Sequence, residues 1–542
     1  MYTEDYARRM HASGDWRNEL LLSCLDRALE LAPDHLAIVD HNSMTGRRTA
    51  LTYRALKAEV DRLAVGLARL GVGRGEVVSF QLPNWWQFTA LHLACLSIGA
   101  ISNPLMPIFR ERELAFMLAL AEARVLVVPR LFRGFDYPAM AAGLRARLPA
   151  LAHVLVVDGT DGNAFERALP PLEPGCDVAA LIGGRRPHAD EVIEIMYTSG
   201  TTGEPKGVMH TSNTTFSNVR TFAERLHIGP DDVFLMASPM AHQTGFLYGM
   251  VMPIAARATA CYQDVWEPAK ATDIIAAEHV TFTMGSTPFL ADLADAAEQR
   301  PEAFASLKTF VSAGAPIPRA LVRRARESMQ ASILSAWGMT EVAACTLTPP
   351  EAPEDKAFET DGSLLPGMAL RIAAPDGTTL APGQEGRLLA RGCSVFAGYL
   401  KRPQLYAFDD DGWFDTGDLA RLDAEGYVRI TGRAKDLIIR GGENIPVVEI
   451  ENLLYQHPAV LEAAIVGMPD PRLGERACAF VVTKDGAPLD LPAVTEWLGR
   501  FNVSRTYWPE RIEVLETLPR TPSGKIQKFQ LRERAQSLTP AR

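Results

Sequence analysis

The chain has 542 residues, 47% of them apolar, which supports a large core and more than one domain and excludes a disordered chain. A net charge of −10 argues against a nucleic-acid footprint, which needs a basic face. Seven cysteines, an odd number with no C-x-x-C pair, read as the reduced thiols of a cytosolic protein, and "MYTEDYARRMHASGDW" lacks the apolar core of a secretory signal.

The predicted elements mostly alternate helix and strand. Residues 51–72 place Leu56, Val60, Leu63, Leu67 and Leu70 on one helical face, with Gly71 as the stop. "GEVVSFQLP" reads as a strand. "WWQFTALHLACLSIGA" (Trp85 to Ala100) follows it as a helix. It carries Gln87, Thr89, His92 and Ser97 and is too short to span a bilayer, so a buried helix is expected and no integral membrane association. "ARVLVVP" (123–129), "AHVLVVDG" (152–159), "EHVTFTMGS" (278–286) and "LKTFVSAG" (307–314) are runs of the kind buried in parallel sheets. The pattern argues a large α/β region. Near residue 434 the style changes. A hairpin-like "EGYVRITGR", a helix in "PVVEIENLLYQHP" and strands in "EAAIVG" and "RACAFVVT" are expected to form a small separate α+β domain. The expected division is 1–434 and 435–542.

"YTSGTTGEPKGV" (Tyr197 to Val208) leaves the strand-like "EVIEIM" through three glycines, several hydroxyls and Lys206. Glycines let backbone N–H groups approach an anion, hydroxyls add donors and a lysine adds charge, so the loop suits phosphate oxygens. It is not the ordinary phosphate loop, which needs four residues between its glycines and Ser or Thr after the lysine; here Gly200 and Gly203 are three apart and Gly207 follows Lys206. Taken alone it could also be a mobile surface loop. Further along stand "SAWGMTE" (Ser335 to Glu341), "WFDTGDLA" (Trp413 to Ala420), "YVRITGRAKDLIIRGGENI" (Tyr427 to Ile445) and "LPRTPSGKIQK" (Leu518 to Lys528).

These five motifs, in this order over nearly the whole chain, resemble the adenylate-forming superfamily of acyl-CoA synthetases, luciferases and nonribosomal adenylation domains. The resemblance implies a multi-layer N-terminal α/β domain with parallel sheets and a small mobile C-terminal domain. It also implies a two-step reaction: a carboxylate attacks the α-phosphate of ATP, pyrophosphate leaves, and the acyl group passes to the thiol of CoA. Two anions must meet, so repulsion has to be suppressed and the leaving charge neutralised. By the same resemblance Thr198, Ser199, Gly200, Thr201, Thr202, Gly203 and Lys206 hold the β- and γ-phosphates. Thr340 touches the α-phosphate, and Glu341 binds Mg²⁺. Gly314, Ala315 and Pro316 line an adenine slot with Trp337 and Gly338. Asp418 accepts from both ribose hydroxyls, with Arg433 nearby. Lys525 bridges the substrate carboxylate and the α-phosphate. Trp337 departs from the tyrosine or phenylalanine usual in the family; stacking needs only a flat ring, but the tyrosine hydroxyl is lost.

The resemblance further implies that the C-terminal domain rotates about Lys435. Lys525 then leaves the site, and Gly441 and Gly442 line a tunnel for the pantetheine arm of CoA. The acyl pocket falls on "AHQTGFLYGMVMP" (241–253) and "VTFTMGSTPF" (280–289), with His242, Gly245, Thr283 and Gly285 in its wall. Neither segment carries a Lys, an Arg or the Asp with which amino-acid adenylation domains meet an ammonium. An apolar acid is therefore expected, in the manner of medium-chain and cyclohexanecarboxylate-CoA ligases. Each residue has a plainer reading: Asp418 a turn cap, Glu341 and Lys525 solvated charges, His242 a packing residue, the Gly441–Gly442 pair a hairpin turn. Two other functions stay open, an acyl-AMP ligase serving a carrier protein and a non-catalytic binding member. A homodimer is left open.

Overall fold

Short β-branched runs bounded by glycine and proline become the strands of two large sheets. The computed structural model describes residues 2–198, 205–314, 319–406, 408–409, 411–440, 443–470, 472–501, 503–521 and 524–538. Val77–Phe80 is buried throughout and pairs in parallel with Ile101–Pro104 on one side and Val125–Pro129 on the other. The crossover between the first two is the helix Trp86–Ile98. That helix is apolar all round and covered on nearly every side, as such a helix must be. It stops at Gly99, whose φ of +69° is the left-handed conformation glycine takes without strain. His153–Val157 extends the sheet beyond Val125–Pro129. On the other edge Ile101–Pro104 is followed by Val192–Thr198, Lys206–Thr211 and Gly398–Tyr399, the last two pairing antiparallel.

The second sheet has nine strands and a parallel centre: Leu36–Asn42, Thr259–Gln263, Val233–Met236, Phe282–Gly285, Thr309–Ser312 and Ser332–Met339. Its edges turn antiparallel, through Arg47–Thr52 at one end and Ala343–Leu347 with Ser363–Leu364 at the other. The largest apolar cluster lies between the two sheets and the helices on them, with Trp85, Phe88, Phe222 and Phe246 fully buried.

A third, four-stranded antiparallel sheet runs Met368–Ala373, Gly386–Gly392, Phe414–Leu422, Val428–Arg433. This corrects the expectation for "EGYVRITGR". Val428–Arg433 pairs with Phe414–Leu422, so it closes this sheet and is no part of the C-terminal unit. The C-terminal sheet holds Glu443–Ile445, Ile438–Arg440, Gly474–Thr483, Val460–Asp470 and Arg511–Val514. Its two long strands show the two-residue period in full. Ala463, Ile465, Ala477, Ala479 and Val481 face a core with Ile450 and Leu498, while Ala464, Val466, Cys478 and Phe480 face Leu531 and Ala535. The fold is thus a large α/β body with parallel sheets and a smaller α+β unit. No helix among the described residues is long and apolar enough to cross a membrane. All seven cysteines are free.

Candidate active site

The loop that opened the sequence argument is carried by a hairpin. Thr198 pairs with Lys206 across Val192–Thr198 and Lys206–Thr211. Residues 199–204, hence Ser199, Gly200, Thr201, Thr202 and Gly203, lie outside the described residues. Lys206 places its ammonium 4.9 Å from the centre of the Tyr399 ring. The Tyr399 hydroxyl donates to Glu341 Oε1 at 2.9 Å. Glu341 is buried, and burial raises its carboxyl above the usual range against the Tyr399 hydroxyl and the charges of Lys206 and Arg433. The tight turn that presents it follows from Gly338: a Cβ there would sit 2.1 Å from the Ala343 carbonyl oxygen. Phe396 N–H donates to the Glu341 carbonyl at 2.8 Å and fixes the turn against the strand next to Lys206. Thr340, also buried, accepts on its carbonyl from His210 Nε2 at 2.7 Å. A carbonyl only accepts, so Nε2 carries the His210 proton; burial keeps this ring neutral, pushed down to about 4.

Asp418, on Phe414–Leu422, stands opposite Arg433 in register, with Arg433 Nε 3.0 Å from Oδ1. Trp337 Nε1 donates to Asp418 Oδ2 at 2.9 Å. The indole therefore supplies the polar contact that a missing tyrosine hydroxyl was expected to cost. Gly314 has a φ of +84°, at the end of a strand whose neighbours Ala315 and Pro316 lie outside the described residues.

His242 accepts on Nδ1 from Thr244 N–H at 3.3 Å and begins the helix Gln243–Phe246. Burial, with the Lys525 charge, holds it near 4, so the ring is neutral and Nε2 bears the proton. Lys525 belongs to the C-terminal unit, and its turn meets the large body at Gly524. The turn carrying it is closed by Thr521 Oγ1, which accepts from Lys525 N–H at 3.0 Å. It is held to its own sheet by Arg520 on Glu462 at 2.9 Å. A Cβ on Gly524 would come 2.6 Å from Ser286 Oγ, so this turn packs directly on residues 286–289. Gly245 and Gly285 are close approaches as well: a Cβ would meet the Pro239 carbonyl oxygen at 2.4 Å and Phe289 Cβ at 3.0 Å, respectively. Thr283 spends its hydroxyl on the Leu235 carbonyl at 2.9 Å. After Phe246 the chain enters a π-helical turn, Leu247–Val251, a distortion frequent at functional sites.

The described residues thus link Lys206, Tyr399 and Glu341 in one cluster, with Gly338 and Thr340 on the Glu341 turn, and Asp418, Arg433 and Trp337 in a second that reaches Glu341 through the Arg433 charge, while the Lys525 charge is felt at His242. Lys435 lies in the short helical turn Ala434–Asp436, its side chain undescribed, and Gly441 and Gly442 are outside the described residues. Sequence reasoning missed Tyr399 and His210, which meet Glu341 and Thr340. Its one available signal was a polar residue inside an apolar strand or at a buried helix start.

A parallel-sheet body with a second unit whose lysine turn docks over the first defines an adenylate-forming enzyme. The chain belongs to the AMP-binding enzyme family: residues 25–400 match that family and residues 449–525 match the AMP-binding enzyme C-terminal domain. It is an ATP-dependent ligase of the acyl-CoA ligase class. A medium-chain fatty-acid–CoA ligase of Escherichia coli (strain K12) is 37% identical, over 98% of this chain and 93% of that protein. A salicyl-AMP ligase / salicyl-S-ArCP synthetase of Mycobacterium tuberculosis (strain ATCC 25618 / H37Rv) is 34% identical, over 97% of this chain and 93% of the other. ATP-bound MatB from Rhodopseudomonas palustris superposes with a TM-score of 0.84, 29% identity, and coverage of 95% of this chain and 99% of that one. Its apo form, with the same identity and coverage, gives 0.73.

Proposed function

We propose that the chain activates an uncharged, mainly apolar carboxylic acid as its acyl adenylate and passes the acyl group to CoA. The observation that carries this reading is the Lys206–Tyr399–Glu341 cluster together with a Lys525 turn docked on residues 286–289. In the first step a substrate carboxylate oxygen attacks the α-phosphorus of ATP and the bond to the β-phosphate bridging oxygen breaks. Lys206 and the hydroxyls of Thr198, Ser199, Thr201 and Thr202 hold the departing pyrophosphate, with Gly200 and Gly203 allowing close approach. Thr340 contacts the α-phosphate. Lys525 neutralises the two anions as they meet, as a preorganised charge. Trp337, Gly338, Gly314, Ala315 and Pro316 take the adenine, and Asp418 and Arg433 the ribose.

Glu341 suits Mg²⁺, which binds through one or two carboxylates and otherwise through phosphate oxygens and water. Its carboxylate is buried with one oxygen engaged by Tyr399, and no group of three metal-ligating side chains exists among the described residues, a donor set that leaves most positions to phosphates. When bound, the ion supplies charge neutralisation at the leaving pyrophosphate.

In the second step the CoA sulfur attacks the acyl carbonyl carbon and AMP leaves. We place the domain boundary at 434/435 and the rotation at Lys435, with Gly441 and Gly442 beside the pantetheine arm. The better superposition on the ATP-bound than on the apo neighbour supports the present arrangement as the adenylating one. Buried charge without a partner costs several kcal/mol, against about 0.8 kcal/mol gained per buried methylene, so dicarboxylates and amino acids are poor substrates. Medium-chain acids and cyclohexanecarboxylate fit best, a reading the 37% identical fatty-acid ligase supports. Seven free thiols suit a reducing compartment such as the cytoplasm. A second reading, delivery to a carrier-protein pantetheine, is favoured by the 34% identical salicyl-S-ArCP synthetase.

The test is ATP–pyrophosphate exchange and CoA-thioester formation with octanoate, cyclohexanecarboxylate, benzoate, acetate and succinate. A preference for acetate or succinate defeats the apolar pocket. Exchange without any CoA thioester favours the carrier reading, and absence of exchange with every acid leaves only a binding role.

A further inference from the structure

His210 lies on the strand Lys206–Thr211, and the two-residue period of a strand sets Lys206, Val208 and His210 on one face. Val208 shares an apolar cluster with Trp337 and Val342, so that face looks onto the segment that carries Thr340 and Glu341. His210 is fully buried. Its Nε2 donates to the Thr340 carbonyl at 2.7 Å, and its Nδ1 lies 3.0 Å from Thr214 Oγ1. Thr214 is itself fixed: its hydroxyl accepts from Thr211 N–H at 2.9 Å, at the start of the helix Ser212–Arg225. The imidazole therefore spans from an anchored helix start to the Thr340 backbone.

Those two contacts define what the ring can do. With the proton on Nε2, Nδ1 takes the Thr214 hydroxyl as its donor, and both nitrogens are spent on the protein. Burial keeps the ring neutral. A neutral ring with no nitrogen to spare does not bind a phosphate oxygen; it acts through Thr340. The carbonyl that it holds belongs to the planar peptide unit joining Thr340 to Glu341, so fixing that carbonyl fixes the directions in which both side chains leave. The same strand reaches Glu341 a second time, from Lys206 over the Tyr399 ring and from the Tyr399 hydroxyl to Oε1 at 2.9 Å. Tyr399 holds the side chain and His210 the backbone. An apolar residue at 210 would take the donor away, and a buried carbonyl without one is costly.

We propose that His210 is a positioning residue for the first step: by holding the Thr340–Glu341 peptide it sets the Thr340 hydroxyl and the Glu341 carboxylate where the phosphates of ATP and Mg²⁺ meet them. This rests on the ligase reading, which gives those two groups their roles. The acid is held by other segments, so the dependence on His210 is confined to MgATP.

The test measures ATP–pyrophosphate exchange in the wild type, His210→Asn and His210→Gln, with MgATP and free Mg²⁺ varied in turn and the acid that the wild type turns over fastest. Both amides are neutral and polar, but Gln carries its NH₂ at the reach of Nε2 and Asn only at that of Nδ1. In His210→Asn the Thr340 carbonyl loses its donor. KM for MgATP and the Mg²⁺ concentration giving half the maximal rate then rise about tenfold, the scale of one buried group left unpaired, while KM for the acid is unchanged. His210→Gln restores the donor and stays within about threefold of the wild type. A folding defect alone would lower the active fraction, and so kcat, and leave the KM values where they are. If the two amides behave alike, in either direction, or the loss falls on kcat alone, His210 only packs and the proposal fails, while exchange in the wild type leaves the ligase reading standing. If the wild type shows no exchange with any acid of the panel, both fail.

Discussion

The lysine at 525 and the histidine at 242 illustrate how one residue's charge sets another's role. His242 is kept neutral by burial and by Lys525, so it can border an apolar pocket without bringing a charge into it. Lys525→Ala is expected to slow adenylation by roughly 10²- to 10⁴-fold, because a preorganised charge at the transition state is lost. Thioester formation from a supplied acyl adenylate should continue, and an equal fall in both half-reactions would contradict separate conformations for them. Trp337 gives a second residue-level expectation. Its indole N–H holds Asp418 Oδ2 at 2.9 Å, so Trp337→Phe keeps a flat ring but frees the carboxylate that we assign to the ribose. A hydrogen bond to a charged group is worth about 1.5–3 kcal/mol, which predicts a rise of about 10- to 100-fold in KM for ATP with a smaller change in kcat. Steady-state kinetics with ATP varied decides it: an unchanged KM means that Asp418 is held well enough by Arg433.

At the scale of strands and helices, what could be read from the sequence is what repeats. Buried parallel strands announced themselves as continuous β-branched runs, and "PVVEIENLLYQHP" as one amphipathic helix. The antiparallel sheet from Met368 to Arg433 was missed because its strands are irregular and broken by glycines such as Gly392 and Gly417, so "EGYVRITGR" was attached to the wrong unit. The cleft was legible where motifs concentrate hydroxyls, glycines and charges. Tyr399 and Glu341, 58 residues apart, meet only because Gly398–Tyr399 joins the edge of the first sheet, and no local pattern encodes that. Glu194 hid inside "EVIEIM", where a carboxylate between isoleucines reads as the polar face of an alternating strand.

Asp40, in Leu36–Asn42, is another such buried acid. Burial raises it to about 7, the Trp86 N–H lowers it, Asp264 raises it and Arg47 lowers it. A carboxyl raised in the folded state stabilises the protein fully only below its unfolded value near 4, and that contribution is lost as pH rises toward about 7. Asp40→Asn removes this penalty and keeps an acceptor for Trp86. The Tm difference, variant minus wild type, should therefore grow between pH 4 and 7 and level off above that range. A difference independent of pH would show that Asp40 is ionised throughout.

For the molecule as a whole, the proposed mechanism asks one lysine to serve a step and then withdraw. The docking of its turn is glycine-dependent. Gly524 has a φ of +83°, and a Cβ would come 2.6 Å from Ser286 Oγ, on the segment proposed to border the acyl pocket. Gly524→Ala adds strain of about 1 kcal/mol in the left-handed region and crowds Ser286 Oγ at an interface that, on the proposed rotation, forms only in the adenylating arrangement. The C-terminal unit keeps its own sheet and both apolar cores, Leu531 and Ala535 on one side and Ile450 and Leu498 on the other, so the exchange disfavours the closed arrangement more than the fold. Adenylation should then fall about 10-fold or more, at roughly 1.4 kcal/mol per decade, with thioester formation from supplied acyl adenylate near the wild-type rate. Gly442→Leu should do the reverse, sparing pyrophosphate exchange and blocking the CoA step. Opposite partial losses in two variants of one small unit require two working arrangements of the same pair of bodies. Parallel losses in both half-reactions for either variant would mean that the lysine turn and the double glycine serve a single arrangement.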